Sequence, residues 1–344
     1  MGLGVLAAQP FEAVLAGDRS LQRRPMARVT QPLGEMGGRF TFLGREGCLP
    51  IRVLGGEGRL RSISYELPVS SAQIKGALLL AGLAGRVPVR LREPTGRSRD
   101  HTERLLRSFG YTVREGSDGW LEFEPDGRLE PFSLEIPGDI SSAAFLVGAA
   151  TLAEAGELQV RDVGLNPTRT GFLTVLRRMG GSIEERRPRE RYGEPVADLI
   201  VRPPAAAALR ATIVEAREIP GLIDEIPILA ILASRAEGTT VFHEVGELRV
   251  KESDRLELMA RNLRAVGVEA EAHENRLRVT GTDRPPRGPV ETQADHRIAM
   301  AFAVLGQLPG AEVRVDDLAC AEISFPGFSA ALRAIGGKGG ALAA

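Results

Sequence analysis

Apolar and polar positions along the chain alternate between two periods, and glycines mark where one gives way to the other. A helical run ending in an apolar residue, then Gly, then an extended stretch occurs at Met36-Gly37, Phe109-Gly110, Met179-Gly180, Val266-Gly267 and Ile335-Gly336. Gly just past a last helical residue supplies the left-handed conformation that caps a helix. These glycines recur roughly 70–90 residues apart, the sign of a repeated supersecondary unit. A second feature shares the period. Helices rich in small residues are predicted at Ala72–Ala84, Ser141–Ala153, Ile226–Ser234 and His296–Gln307. Each leads into a β-rich run, at Val87–Leu91, Leu158–Arg161, Thr239–Phe242 and Val313–Val315. Gly2–Ala8 followed by Phe11–Leu15 reads as the same element, beginning in mid-helix with no capping residue ahead of it. Units of this length that mix helices and strands predict an α/β (α+β) fold packed compactly rather than as an open array.

Composition narrows the class. The 344 residues carry 44 Lys+Arg against 45 Asp+Glu, a formal net charge of -1. That balance argues against a nucleic-acid binder or a polybasic membrane-surface protein. Hydrophobic residues at 43% and aromatics at 5% predict cores built from Ala, Leu, Val and Ile, in a chain long enough for two domains. No apolar run reaches the roughly 20 residues that span a bilayer, and Met1–Pro10 lacks the basic start of an export signal. Cys48 and Cys320 form no disulfide framework and fit a reducing cytosol.

Chemistry concentrates at the joints between units. Arg23 and Arg24 precede a helix that ends at Met36, which reads as an anion site or as a solvated basic turn. Ser70, Ser71 and Gln73 open an apolar helix, either capping it or facing a polar ligand. Ser98-Arg99-Asp100-His101 opens another helix suited to phosphate, with Asp100 as a possible cap. Gly138-Asp139-Ile140-Ser141-Ser142 reads mainly as a cap and hinge. Asp224-Glu225 precedes an apolar helix and offers a cap or a base. In Arg249-Val-Lys-Glu-Ser-Asp-Arg255 the spacing predicts Lys251 and Arg255 on one face of a first helical turn. Cations there oppose the helix dipole unless an anion sits between them. Arg297, after Asp295-His296, repeats that situation. The four His have no metal-ligand spacing, and no GxGxxG or P-loop follows a strand.

These segments, together with Ser324-Phe325-Pro326, fall in one order along the chain that resembles the 5-enolpyruvylshikimate-3-phosphate synthase family over essentially all 344 residues. The resemblance implies a two-domain enolpyruvyl-transferase fold built from βαβαββ-type units, with domains at 1–137 and 138–344 and an active site in the cleft. It implies transfer of the enolpyruvyl group of phosphoenolpyruvate to the 5-hydroxyl of shikimate-3-phosphate in aromatic amino-acid biosynthesis, by a cytoplasmic monomer needing no metal or organic cofactor. Asp224 would be the base at that hydroxyl. Lys251 would contact the hydroxyl and share in proton transfer, and Glu252 would protonate the methylene carbon. Ser71, Ala72, Gln73, Ser98 and Arg99, with Asp224 and Lys251, would hold shikimate-3-phosphate. Arg24, Gln73, Arg255 and Arg297 would hold phosphoenolpyruvate. Ile323 stands where some members have Lys, and Glu247 where some have Asn, its role open.

Six units are implied where five are found, so a segment of about 90 residues is expected to be missing ahead of Met1, with impaired activity. It would carry Pro-Gly-Ser-Lys-Ser-type and Asn-x-Gly-Thr-type segments. Two alternatives stand beside this reading. A UDP-N-acetylglucosamine enolpyruvyl transferase would share the fold, but most use a loop cysteine near Asp18–Arg24 that this chain lacks. A non-catalytic fragment is the other, decided by reading the coding DNA upstream of Met1.

Overall fold

The computed structural model describes residues 1–18, 21–55, 59–94, 96–204 and 209–335. They divide into two compact units, Met1–Leu134 with Arg191–Glu194, and Glu135–Glu190 with Pro195 onward.

In the first unit, helix α1 (Gly2–Ala7) leads through β1 (Glu12–Leu15) and α2 (Ala27–Glu35) to β2 (Arg39–Phe42) and β3 (Ile51–Leu54). These strands form an antiparallel sheet in the order β1-β3-β2. Then follow β4 (Ile63–Glu66), α3 (Ala72–Gly85), β5 (Val89–Arg92), α4 (His101–Ser108), β6 (Thr112–Glu115) and β7 (Trp120–Glu124). Their order is β4-β5-β7-β6, with β4 and β5 parallel and β6-β7 an antiparallel hairpin. Helix–Gly–strand punctuation thus resolves into a βαβαββ unit. The alternation in β5, with Val89 and Leu91 inward, joins Phe123 of β7 to Leu78 and Leu79 of α3 in the core.

The second unit repeats the plan. Helix α5 (Ile140–Thr151), β8 (Leu158–Gly164), α6 (Gly171–Arg178), β9 (Ser182–Arg191) and β10 (Glu194–Arg202) form a sheet in the order β8-β10-β9. A parallel bridge from Gly138 to Val163 takes the place of its first strand. Next come β11 (Ile213–Val214), α7 (Ile226–Ala233), β12 (Thr239–Phe242), α8 (Arg255–Ala265), β13 (Ala270–His273) and β14 (Arg276–Thr280). Their order, β11-β12-β14-β13, reproduces β4-β5-β7-β6. The parallel pair β15 (Arg287–Val290) and β16 (Glu312–Val315) flanks α9 (His296–Leu305), and α10 (Phe328–Ile335) follows.

The helices expected from small residues are α3, α5, α7 and α9, each within about two residues of its expected ends, although α7 is built mainly of Ile and Leu. Their composition has a packing reason. Helices α5, α7 and α9 contact one another at the centre of the second unit, buried on nearly every face. Helix α1 lies so close to α3 that a Cβ on Gly4 would come 1.9 Å from the Ala77 carbonyl oxygen. Gly37, Gly110, Gly180 and Gly267 all have positive φ, as the C-cap reading requires. Gly336 lies outside the described residues. Among the described residues, no helix is long and apolar enough to cross a membrane.

Candidate active site

In the second unit the chemistry gathers around the start of α8, the start of α9 and the turn ahead of α7. Asp224 and Glu225 lie in a single 3-10 turn, Ile223–Glu225, and Glu225, at the N-cap of α7, makes no side-chain capping bond. They divide the work. Asp224 keeps some exposure and has Lys251 Nζ at 3.8 Å and Arg255 Nη1 at 3.9 Å from its Oδ1. Glu225 is buried and accepts from the Ser141 hydroxyl of α5, while Arg169 donates to Ser141 Oγ and pairs with Asp139 at 2.7 Å. Burial raises the proton affinity of Glu225, against the pull of Ser141 and Arg297. Asp139 does cap α5, accepting from Ser142 N at 3.2 Å.

The placement of Lys251 corrects the sequence expectation. Lys251 does not share a helical turn with Arg255: it ends a 3-10 turn over Gly246–Val250 in an extended conformation. Asp254 is the N-cap of α8, its carboxylate accepting from Glu257 N at 3.0 Å, so the helix begins only at Arg255. The two cations still converge, but through the carboxylate of Asp224 rather than through helical spacing. Glu247 reaches Lys251 at 3.3 Å.

Arg255 is fully buried at the first position of α8, where the helix dipole opposes a cation. Carboxylates offset this. Arg255 Nε donates to Asp295 Oδ2 at 2.9 Å, and Nη2 donates to Asp295 Oδ1 at 3.2 Å and to Glu252 Oε2 at 2.6 Å. Asp295 also caps α9 through Arg297 N and Ile298 N and accepts from the Ser253 hydroxyl. Burial alone would raise the Asp295 carboxyl, but the Arg255 guanidinium and Ser253 outweigh it and hold it below the usual carboxylate range. Arg297 Nη1 donates to the Asp224 carbonyl at 3.0 Å, which ties α9 to the Asp224 turn. Asp224, Lys251, Glu252, Arg255 and Arg297 therefore form one cluster of fixed charge. Ile323 is exposed.

The first unit carries the remaining predicted residues. Ser71 is the N-cap of α3, yet its side chain makes no capping hydrogen bond, so the capping reading is set aside. Asp100 likewise makes no side-chain cap for α4; its Oδ1 accepts from Arg104 Nε at 2.9 Å. Ser98 Oγ is buried and finds no hydrogen-bond partner among the described groups. Arg24 is exposed, just beyond a 3-10 turn at Leu21–Arg23 and ahead of α2. A cavity of about 250 Å³ is lined by Lys75, Glu93, Arg97, Glu103 and Glu115. Sequence reasoning passed over Lys75, Glu93, Glu103 and Arg169. A signal was present for Lys75, which is the one charged residue in an otherwise apolar α3.

A family model described as EPSP synthase (3-phosphoshikimate 1-carboxyvinyltransferase) matches residues 2–332. A curated 3-phosphoshikimate 1-carboxyvinyltransferase of Desulforudis audaxviator is 48% identical over 336 residues, covering 97% of this chain and 76% of the relative. One from Halorhodospira halophila is 47% identical over 333 residues, 97% of this chain and 73% of the relative. The solved EPSP synthase of Acinetobacter baumannii superposes with a TM-score of 0.83 at 36% identity, covering 97% of this chain and 75% of that one. The enolpyruvyl transferase NikO from Streptomyces tendae shares the fold at a TM-score of 0.70 and 18% identity. With this match running nearly end to end, the chain belongs to the EPSP synthase family, the 3-phosphoshikimate 1-carboxyvinyltransferases.

Proposed function

We propose that this protein transfers the enolpyruvyl group of phosphoenolpyruvate to the 5-hydroxyl of shikimate-3-phosphate, a step of aromatic amino-acid biosynthesis. The observation that carries the reading is the Asp224 carboxylate between Lys251 and Arg255, in a chain whose relatives bear that enzyme's name. Asp224 takes the proton from the 5-hydroxyl as its oxygen attacks C2 of phosphoenolpyruvate. Glu252, with Lys251, delivers a proton to the C3 methylene, giving a tetrahedral intermediate with a methyl group. The C2–O bond to phosphate then breaks as a proton leaves that methyl, yielding the enol ether and free phosphate. A base, an acid and fixed cations around developing charge are what such an addition and elimination require.

Lys251 contacts the 5-hydroxyl, while Arg24, Gln73, Arg255 and Arg297 serve the phosphate and carboxylate of phosphoenolpyruvate. Ser71, Ala72, Gln73, Ser98 and Arg99 hold shikimate-3-phosphate; the uncommitted Ser71 and Ser98 hydroxyls support that assignment. The reading extends to a monomer working in the cytoplasm; two cysteines that are both buried and free support the reducing compartment.

The test is kinetic. Lys251→Ala and Asp224→Asn are expected to lower kcat by about 10²–10⁴-fold, the usual worth of a positioned acid or base, with the circular dichroism spectrum unchanged. Folded variants with wild-type turnover would remove both residues from the mechanism. UDP-N-acetylglucosamine should not replace shikimate-3-phosphate as acceptor.

A further inference from the structure

The buried ion cluster of the first unit has no part in the chemistry above, and its geometry raises the question of what it holds. Lys75 is the one charged residue of α3, and it is 2% exposed. An ammonium taken out of water is costly unless it is well paired. Its Nζ lies 2.7 Å from Glu103 Oε1 in α4 and 3.0 Å from Glu93 Oε2 just beyond β5, and it donates to the Ser98 carbonyl at 3.4 Å. Glu93 Oε2 in turn accepts from Ser98 N at 3.1 Å. Ser98 is therefore gripped at both its N–H and its carbonyl, while its hydroxyl is left uncommitted. One turn back along α3, Lys75 N donates to the Ser71 carbonyl at 3.0 Å.

We infer that Lys75, Glu93 and Glu103 are positioning residues for shikimate-3-phosphate, locking the Ser98-Arg99 segment to the Ser71–Gln73 helix start so that their donors meet the substrate's phosphate together. This role rests on the proposed function. The cluster acts by geometry rather than by attraction, since two carboxylates around one ammonium would repel a phosphate. Burial raises the proton affinity of Glu103 against the pull of Lys75. Preorganised donors save the ordering cost that a loose loop would incur on binding, and a displacement near 1 Å at such a site is worth up to about 10²-fold.

Isothermal titration of the full chain with shikimate-3-phosphate tests the role. Glu93→Ala removes the acceptor for both Ser98 N and Lys75 and should raise Kd at least tenfold. Glu93→Gln keeps an acceptor oxygen in the same place and should return Kd to within about threefold of wild type. Leu106→Ala, a core truncation in the same α4, should lower Tm and leave Kd unchanged. If Glu93→Ala does not fold, Glu93→Asp, whose shorter arm cannot reach both partners, should still raise Kd several-fold. An unaltered Kd in folded Glu93→Ala or Glu93→Asp overturns the inference. So does an equal rise in Leu106→Ala, which would trace the effect to stability alone. Wild-type protein that fails to bind shikimate-3-phosphate would instead refute the function itself, and the positioning role with it.

Discussion

Removing the Asp295 carboxylate tests how the second unit tolerates a buried cation at a helix start. Asp295 is 0% exposed and accepts from Arg255 Nε and Nη2, Ser253 Oγ, Arg297 N and Ile298 N. Asp295→Ala leaves the Arg255 guanidinium buried with Glu252 as its near carboxylate and uncaps α9. Breaking a buried pair from one side costs about 3–5 kcal/mol, and losing a cap about 1 kcal/mol. The two losses share partners and do not add fully, so about 4 kcal/mol is expected. For a unit of this size that lowers Tm by roughly 8–16 °C. Arg255→Met placed on top should recover part of the loss, because it removes the orphaned charge. The effect also has a pH signature. Asp295 titrates below its unfolded value in the native state, so its contribution is present above about pH 4 and is lost as pH falls through the native value. Thermal unfolding by circular dichroism at pH 7 and pH 3 reads both effects. An Asp295→Ala loss under about 1 kcal/mol, or one undiminished at pH 3, would refute the reasoning.

Other outcomes follow from the same geometry. Gly4→Ala drives a Cβ against the Ala77 carbonyl and should destabilise the first unit by about 1–3 kcal/mol by denaturant melt. Glu225 titrates above its unfolded value, so charging it in the native state is unfavourable and stability falls as pH rises through the native value. Glu225→Gln should therefore gain in Tm relative to wild type between pH 5 and pH 8, and a constant difference across that range would contradict the assignment. Lys75→Met should lower Tm less when combined with Glu103→Gln than alone, since the second change removes a carboxylate left buried without its cation.

The architecture was legible because its signals are local. Gly37, Gly110, Gly180 and Gly267 were readable as C-caps from their immediate neighbours, and their positive φ follows from that reading. Small residues marked α3 and α5, where Gly and Ala permit close helix contact, whereas the equally buried α7 is built mainly of Ile and Leu. Residue types at the site were legible too, but their partnerships were not. Arg255 and Asp295 are 40 positions apart, and Ser141 and Glu225 are 84 apart; nothing in either segment specifies the other. Lys251 was misplaced on a helical turn because four-residue spacing suits a helix, whereas Asp254 halts α8 one residue before Arg255. Ser71 and Asp100 looked like caps because their types favour that position, and tertiary partners decide otherwise. Lys75 escaped notice because a lone lysine in an apolar helix ordinarily reaches for solvent, and only the fold brings Glu93 and Glu103 to it.

The proposed reaction makes and breaks bonds at C2 of phosphoenolpyruvate while protonating C3. The most direct measurement is its stoichiometry in D₂O, followed by phosphorus and proton NMR with shikimate-3-phosphate and phosphoenolpyruvate as the only substrates. One phosphate is expected per vinyl ether formed on the 5-oxygen, with deuterium in the product's methylene, because a proton from solvent-exchanged Glu252 or Lys251 is added and another removed. Phosphate without a vinyl ether, or a vinyl ether carrying no deuterium, would contradict it.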